Sequence, residues 1–337
     1  MRVLGIETSC DECAAAVVED GRRILSNVVV TQIPFHTVYQ GVVPEIASRM
    51  HTEWISGVVK SALSEAEIAP EEVDAVAATS RPGLTGSLMV GLSFGKAFAW
   101  ARGLPFIAVD HMLGHLYAPH LEEEIEYPYL GLLVSGGHSI VCRVDGFDEI
   151  RVLGTTIDDA VGEAFDKVAK FYDLGYPGGV VIDNLARSGD PDAFRFPLPN
   201  LHKGEHRYDV SYSGLKTAAV NQLAQFRVKD AIASNENIAA SFQKTAIEIL
   251  LRSLFRAVED TGLTTIVAGG GVAANSYLRG RLAERSDLRC VFPSLSLCGD
   301  NGAMIAGVGY RYLESGMSSA LDAAASPRVE AFKRRYP

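Results

Sequence analysis

A repeated order of predicted elements constrains the fold of this chain more than any other feature. Residues 3–32 predict three consecutive β-strands, with a hairpin turn at Asp20 and Gly21. Residues 129–158 repeat this pattern, and their Asp-Gly pair, Asp145 and Gly146, lies 125 residues after the first. The repetition predicts a duplicated fold.

The segments that follow each three-strand unit support the duplication. After the first unit, helical periodicity at 44–68 and 87–102 alternates with the apolar strands VDAVAA and PFIAVD. After the second, helices near Asp158, from Ile238 to about Thr261, from Ala274 and from Asp300 accompany the strands TTIVAG and LRCVF. We therefore expect an α/β protein with two lobes and a central cleft, as in actin, Hsp70 and the sugar kinases.

Length and composition agree with two domains, since the chain has 337 residues of which 47% are hydrophobic. We expect lobe I to comprise 1–125 and a C-terminal helix at about 300–337. Lobe II then comprises 126–299, with an irregular Pro- and Gly-rich insert at about 175–216. No apolar run approaches the ~20 residues of a membrane-spanning helix, and we expect a cytoplasmic protein. The net charge of -10 means that any RNA substrate must meet a local basic patch or a partner subunit.

Two glycine-rich turns are candidates for ligand contact. In LVSGGHS, the glycines Gly136 and Gly137 join two strands, where they either let backbone N–H groups approach an anion or only make a tight turn. The second turn, GGGVAANS, follows a strand and opens a helix. It is not a dinucleotide fingerprint, because the next strand does not end in an acidic residue. We expect it to pack against an adenosine, with Asn275 available for a hydrogen bond.

The segment HMLGH places His111 and His115 four residues apart, so both imidazoles share one face if the segment is helical. A zinc protease of the HExxH class is excluded, since Met112 stands where that class has its Glu. Asp300 begins a predicted helix and is either a third metal ligand or an N-cap.

Two further acids remain ambiguous from the residues alone. Asp166 lies beside the apolar stripe of a predicted amphipathic helix, which is the usual position of a solvated acid. Asp183 follows the glycine pair of YPGG and is either solvated or directed into the cleft.

Taken together, the motifs resemble the tRNA N6-adenosine threonylcarbamoyltransferase family, whose members were long described as O-sialoglycoprotein endopeptidases. The resemblance covers essentially the whole chain. It rests on GIETSCDE, GVVPEIASR, RPGLTGSLMVG, HMLGH, LVSGGHS, GEAFDKVAK, YPGG, SYSGLKTA, GGGVAANSYLR and CGDNGAMIA.

The resemblance implies an acyltransferase that moves the threonylcarbamoyl group from threonylcarbamoyl-AMP to N6 of adenosine 37 in tRNAs reading ANN codons. It implies Fe(2+), with Zn(2+) also found in the family, and two partners, a TsaB-like paralogue and a TsaE-like P-loop ATPase. The implied metal ligands are His111, His115 and Asp300. The implied substrate contacts are Val134, Ser135, Gly136, Gly137, His138, Asp166, Gly179, Asp183 and Asn275.

Four positions depart from the family pattern, namely Cys13, Leu113, Gly299 and Gly302. None of them is an implied ligand. Leu113 replaces a Glu that is common between the two histidines, and such a loss can weaken a contact that orients a metal ligand.

Two other functions fit the same fold. A sugar or acetate kinase would use Mg²⁺, which prefers oxygen ligands, so the histidine pair disfavours it. An actin-like scaffold without catalytic activity has no need of a transition-metal site. Metal analysis of the purified protein separates the kinase from the acyltransferase.

Overall fold

The computed structural model describes residues 1–199, 201, 203–227, 234–329 and 332. These residues form two compact units. Unit 1 comprises Met1–Ile125 and the described residues from Pro293 onward, and unit 2 comprises Glu126–Phe292. Apart from Phe332, the part of the predicted C-terminal segment beyond residue 329 lies outside the described residues.

The described residues form ten β-strands and eleven α-helices. The strands are β1 (Arg2–Glu7), β2 (Glu12–Glu19), β3 (Arg23–Thr31), β4 (Ala75–Arg81), β5 (Phe106–Asp110), β6 (Tyr129–Val134), β7 (Ser139–Val144), β8 (Ile150–Thr155), β9 (Thr265–Gly269) and β10 (Arg289–Val291). The helices are α1 (Ile33–His36), α2 (Pro44–Glu65), α3 (Thr85–Arg102), α4 (His111–Tyr117), α5 (Val161–Phe171), α6 (Gly178–Ala186), α7 (Ser213–Arg227), α8 (Asn235–Thr261), α9 (Ser276–Ala283), α10 (Leu295–Cys298) and α11 (Gly302–Glu314).

Each unit contains one mixed sheet of five strands, and the two sheets have the same strand order. The order is β3-β2-β1-β4-β5 in unit 1 and β8-β7-β6-β9-β10 in unit 2. In both sheets the first three strands along the chain are antiparallel, and the remaining two continue the sheet in parallel. The predicted duplication of a three-strand meander is therefore confirmed.

The core of unit 1 follows from the alternation of side chains along β1 and β2. Leu4 and Ile6 are paired across the strands with Val17 and Ala15, and all four belong to one apolar cluster with residues of α2 and α3. Gly5 points to the other face, as expected from the period of two in a strand. There α11 packs so closely that a Cβ on Gly5 would collide with its backbone.

Gly302, one of the departures from the family pattern, lies at the start of α11. A Cβ at this position would lie 2.6 Å from the backbone nitrogen of Ala16 and 2.7 Å from the carbonyl carbon of Ala15. The close approach of α11 to β2 therefore requires glycine at this residue.

The insert of unit 2 is more regular than the sequence predicted. The segment 175–216 was expected to be irregular, but it contains the nine-residue helix α6 and the beginning of α7. The Gly178-Gly179 pair therefore starts a helix and does not make an isolated turn. Proline and glycine conceal this helix in the sequence, because Pro177 occupies the N-cap position and the two glycines are the first helical residues.

The two Asp-Gly turns differ in geometry although both connect the second and third strands of a meander. Asp20 and Gly21 have φ of 49° and 72°, the left-handed pair of a tight type I′-like hairpin. The loop at Asp145 is longer, and the N–H of Asp145 donates to the carbonyl of Glu149 at 2.9 Å.

Among the described residues, no helix is both long enough and apolar enough to cross a membrane.

Candidate functional site

Helix α4 brings the two histidines of HMLGH together. The carboxylate of Asp110, the last residue of β5, caps this helix by accepting a hydrogen bond from the N–H of Met112 at 3.0 Å. His111 and His115 are one helical turn apart on the same face, with ring centroids 4.5 Å apart. The segment is therefore helical, which is the condition that a shared metal site requires.

Asp300 approaches both histidines from the segment that precedes α11. Its Oδ1 lies 3.1 Å from Nε2 of His115 and 3.5 Å from Nε2 of His111. The N-cap of α11 is Asn301, whose side-chain oxygen accepts from the N–H of Met304, so Asp300 is not the N-cap. One ligand atom from each of the three residues lies within 4.8 Å of the others.

A buried carboxylate, Glu7, supports this group from the end of β1. Its Oε2 lies 3.0 Å from Nδ1 of His111, and it also accepts from the hydroxyl of Thr79 at 2.5 Å. Glu7 has no exposed surface. Burial opposes protonation of His111, but the carboxylates of Asp300 and Glu7 outweigh it and raise the pKa of His111 to about 9. The group therefore attracts positive charge.

The donor set fits a transition metal. Two imidazole nitrogens and one carboxylate oxygen converge, as in sites for iron or zinc that leave positions open for substrate. Glu7 also takes the place of the carboxylate that commonly orients a metal-bound histidine. Leu113, which replaces the Glu of the family pattern, is buried. Sequence reasoning did not identify Glu7, although an acid as the last residue of a buried strand was a signal that could have found it.

The turn between β6 and β7 contains the five predicted substrate contacts from Val134 to His138. The N–H of Ser135 donates to the carbonyl of His138 at 2.9 Å, which closes the turn. A Cβ added to Gly136 or Gly137 would meet no atom within 4 Å. Neither glycine has the left-handed backbone that would demand this residue. Packing and backbone conformation therefore do not require glycine at these two exposed positions.

Asp166 on α5 is not a free surface acid. Its Oδ1 accepts a hydrogen bond at 2.7 Å from the N–H of Gly178, the first residue of α6. This bond satisfies one of the N–H groups that a helix leaves unpaired at its start. The next residue, Gly179, has open space where a Cβ would be.

Asp183 and Asn275, predicted from separate motifs, are in direct contact. Oδ1 of Asp183 accepts from the amide of Asn275 at 3.2 Å and from the N–H and hydroxyl of Ser276 at 3.0 and 2.8 Å. The side-chain amide of Gln243 donates to the same oxygen. Sequence reasoning did not single out Gln243 or Ser276.

Close backbone approaches join these segments of unit 2. A Cβ on Gly162, in the first turn of α5, would lie 2.6 Å from the carbonyl oxygen of Ser135. A Cβ on Gly270 would collide with the carbonyl oxygen of Val134. Unit 2 thus brings the first turn of α5 and the turn after β9 against the end of β6, while the three predicted metal ligands lie in unit 1.

Solved structures confirm the predicted actin-like ATPase fold. Component A of (R)-2-hydroxyglutaryl-CoA dehydratase from Acidaminococcus fermentans matches with a TM-score of 0.57 and 13% identity, covering 94% of this chain and 100% of that one. HypF from T. kodakarensis matches with a TM-score of 0.63 and 14% identity, covering 93% of this chain and 48% of that one. At such low identity these matches concern the fold alone.

Sequence comparisons confirm the family resemblance. Residues 23–307 match the family model described as TsaD: tRNA N6-adenosine threonylcarbamoyltransferase. Relatives bearing that name are 67% identical in Treponema denticola, covering 99% of both chains, and 51% identical in Borreliella burgdorferi, covering 100% of this chain and 96% of the relative. With this match over most of its length, the chain belongs to the tRNA N6-adenosine threonylcarbamoyltransferase family.

Proposed function

We propose that this protein transfers the threonylcarbamoyl group of threonylcarbamoyl-AMP to N6 of adenosine 37 in tRNAs that read ANN codons, forming t6A37 and releasing AMP. Family membership supports the reaction class. The observation that carries the metal-dependent form of the proposal is the convergence of His111, His115 and Asp300 in unit 1.

We propose that these three residues hold one Fe(2+) per chain, with Zn(2+) as the alternative that the same donors accept. When bound, the ion supplies Lewis acidity and a template for oxygen atoms of the substrate. Glu7 keeps His111 in the tautomer that leaves Nε2 available for the metal, since Nδ1 carries the proton shared with the carboxylate.

The proposed contacts in unit 2 serve the adenylate half of the substrate. The exposed backbone at Gly136 and Gly137 lets N–H groups approach phosphate oxygens without a side chain in between. Asp166, Gly179, Asp183 and Asn275 are the proposed contacts to the rest of the nucleotide. The hydrogen bonds from Gly178 to Asp166 and from Asn275 to Asp183 hold these side chains in place before substrate arrives, which reduces the entropy lost on binding.

The chemistry asks mainly for positioning, because an acyl-adenylate is already activated. N6 of adenosine attacks the carbamoyl carbon, the bond from that carbon to the phosphate oxygen breaks, and AMP leaves with the bonding electrons. The proton on N6 departs late, to water or to the phosphate of the substrate. Orientation and charge stabilisation can each lower such a barrier by several kcal/mol.

We also propose that the protein acts in the cytoplasm with a TsaB-like paralogue and a TsaE-like P-loop ATPase. The net charge of -10 supports the need for partners, because an acidic chain gains little from long-range attraction to tRNA phosphates.

The proposal is tested by incubating the protein with tRNA reading ANN codons, threonylcarbamoyl-AMP and the two partners. The tRNA is then digested and its nucleosides are analysed by mass spectrometry, and we expect t6A. His111→Ala should abolish the product while the protein remains folded. His120→Ala is the matched control, since this buried histidine stacks on Tyr117 outside the metal group. Absence of t6A with every combination of partners would refute the function, and full activity of His111→Ala would refute the metal role.

A further inference from the structure

One carboxylate oxygen in unit 2 is the centre of a buried polar network. Oδ1 of Asp183 accepts hydrogen bonds from Asn275, from the N–H and hydroxyl of Ser276, and from the amide of Gln243. These residues belong to α6, to the start of α9 and to α8. A single side chain therefore links three helices at the position where the proposed substrate contacts meet.

Gln243 is the one member of this network that comes from α8. Its side chain is 3% exposed and lies beside the fully buried Phe242. A buried amide without a partner would be destabilising, whereas an amide that donates to a carboxylate makes a strong, charge-assisted hydrogen bond. The contact with Asp183 therefore accounts for the burial of this polar side chain.

The network restrains Asn275 from both ends of its side chain. Its amide nitrogen donates to Asp183, and its oxygen accepts from the N–H of Leu278 at 3.0 Å as the cap of α9. The other oxygen of Asp183 has a longer contact of 3.4 Å with Arg187, whose side chain is 65% exposed. Gln243 and Asn275 are thus two buried donors that converge on Oδ1 of Asp183.

We propose that Gln243 is a positioning residue for the adenylate: it holds the carboxylate of Asp183 so that Asn275 keeps the orientation in which it contacts the substrate. This inference rests on the proposed function, which makes Asp183 and Asn275 substrate contacts. Gln243 itself acts through Asp183 and does not touch the substrate.

The test measures AMP binding to the full chain by titration calorimetry, without reference to turnover. Gln243→Met retains the length of the side chain and removes the donor, and we expect AMP affinity to fall by about tenfold. The matched control is Ser241→Ala on the same helix. Ser241 is fully buried and bonds to the backbone of Asp190 and Phe194, away from Asp183. We expect its AMP affinity to stay within about twofold of the unaltered chain, although both variants lower the melting temperature.

A double variant tests whether Gln243 acts through Asp183. Asp183→Asn preserves the shape of the carboxylate and weakens its hydrogen bonds. If Gln243 acts through Asp183, adding Gln243→Met to Asp183→Asn should cause little further loss of AMP affinity. Steady-state kinetics of Gln243→Met with threonylcarbamoyl-AMP should show a raised KM with a smaller change in kcat.

The possible results are distinguishable. Unchanged AMP affinity in Gln243→Met, or an equal loss in Ser241→Ala, would overturn the positioning role and leave the proposed function standing. Fully additive losses in the double variant would also overturn it. Failure of the unaltered chain to bind AMP would overturn the adenylate site and this inference with it.

Discussion

The two sheets have the same strand order, but the turns at their first strands carry different chemistry. In unit 1, the turn after β1 contains Asp11 and leads into Glu12 at the start of β2. In unit 2, the corresponding turn after β6 contains the open glycines Gly136 and Gly137. The shared topology provides two equivalent positions, and the residues in the turns decide what each position can bind.

The electrostatic environments of the candidate sites in the two units also differ. Burial, together with the carboxylates of Asp300 and Asp11, raises the pKa of Glu12 to about 9. Glu12 is therefore neutral near pH 7, and the carboxylates of Asp300 and Glu7 supply the negative charge beside the histidines that a cation site requires. In unit 2, Oδ1 of the buried Asp183 accepts from neutral donors that fix its orientation, and Arg187 contacts the other oxygen at 3.4 Å. A duplicated scaffold thus carries a candidate metal site in one half and an oriented polar network in the other.

The largest expected effect is the loss of bound metal when a candidate ligand in unit 1 is removed. Asp300→Ala removes one of the three converging ligands and should weaken binding of Fe(2+) or Zn(2+) by more than about 100-fold, since loss of an outer partner alone costs about 10- to 100-fold. Mass spectrometry of the purified protein after dialysis measures the bound metal. Asp322→Ala, at an exposed acid of unit 1, is the control. Full metal content in Asp300→Ala would show that Asp300 is not a ligand of the bound ion.

A glycine after the fourth strand of each sheet provides a second comparison. Gly270 has a φ of 96° and a Cβ there would collide with Val134, so Gly270→Ala should destabilise unit 2 by about 3 kcal/mol. Gly83 follows β4, and its Cβ would lie 2.6 Å from the carbonyl oxygen of Ser9, but its backbone is not left-handed. Gly83→Ala should therefore cost less, about 1–2 kcal/mol.

Chemical denaturation of the two variants measures this difference. Gly271→Ala is the control, because its Cβ would meet nothing within 4 Å, and its stability should stay within about 0.5 kcal/mol of the unaltered chain. Equal stability of Gly270→Ala and Gly271→Ala would contradict the proposed close approach of the turn to β6.

The carboxylate that supports the histidines should have a smaller effect than the ligands. Glu7→Gln keeps the shape of the side chain but loses the charge that orients His111, and metal affinity should fall by about 10- to 100-fold. Competition with a chromophoric chelator measures this affinity. Glu72→Gln, which alters an exposed ion pair with Arg2, should leave it unchanged. A metal affinity equal to that of the unaltered chain would exclude a supporting role for Glu7.

The smallest expected effect concerns Asp158 in unit 2, whose carboxylate forms a clamp by accepting hydrogen bonds from the segment 211–213. Burial raises the pKa of Asp158, but hydrogen bonds from Ser211, Tyr212 and Ser213 outweigh it and hold the pKa below its usual 3.8. The carboxylate thereby caps the start of α7, and Asp158→Ala should cost about 1 kcal/mol at neutral pH.

The pH dependence of this effect has a definite sign. A lowered pKa in the folded state gives stability that is complete above pH 3.8 and disappears as the pH falls through the folded value. The difference in unfolding free energy between Asp158→Ala and the unaltered chain, measured by chemical denaturation, should therefore shrink in acid. Asp145→Ala, at an exposed ion pair with Arg143, should change stability by less than about 0.5 kcal/mol at every pH. A difference for Asp158→Ala that persists undiminished in strong acid would contradict the clamp.

Local patterns in the sequence were enough to predict the repeated order of strands and helices along the chain, and the shared face of His111 and His115 on the condition that their segment is helical. Alternation of apolar residues and turn residues acts over a few positions, so it can be found without a structure. The same approach failed for α6, because the cap of this helix comes from Asp166, twelve residues away. It also left open whether Asp300 was a cap, which the structure decides in favour of Asn301.

The sequence by itself thus determined the duplicated α/β plan and, through family motifs, the residues around which the candidate sites are built. Only the tertiary structure decided which buried groups support them. Glu7 and His111 are 104 residues apart in the chain, and Asp183 and Gln243 are 60 apart. Neither pair leaves a periodic signal, because such contacts depend on how strands and helices pack and not on the local sequence.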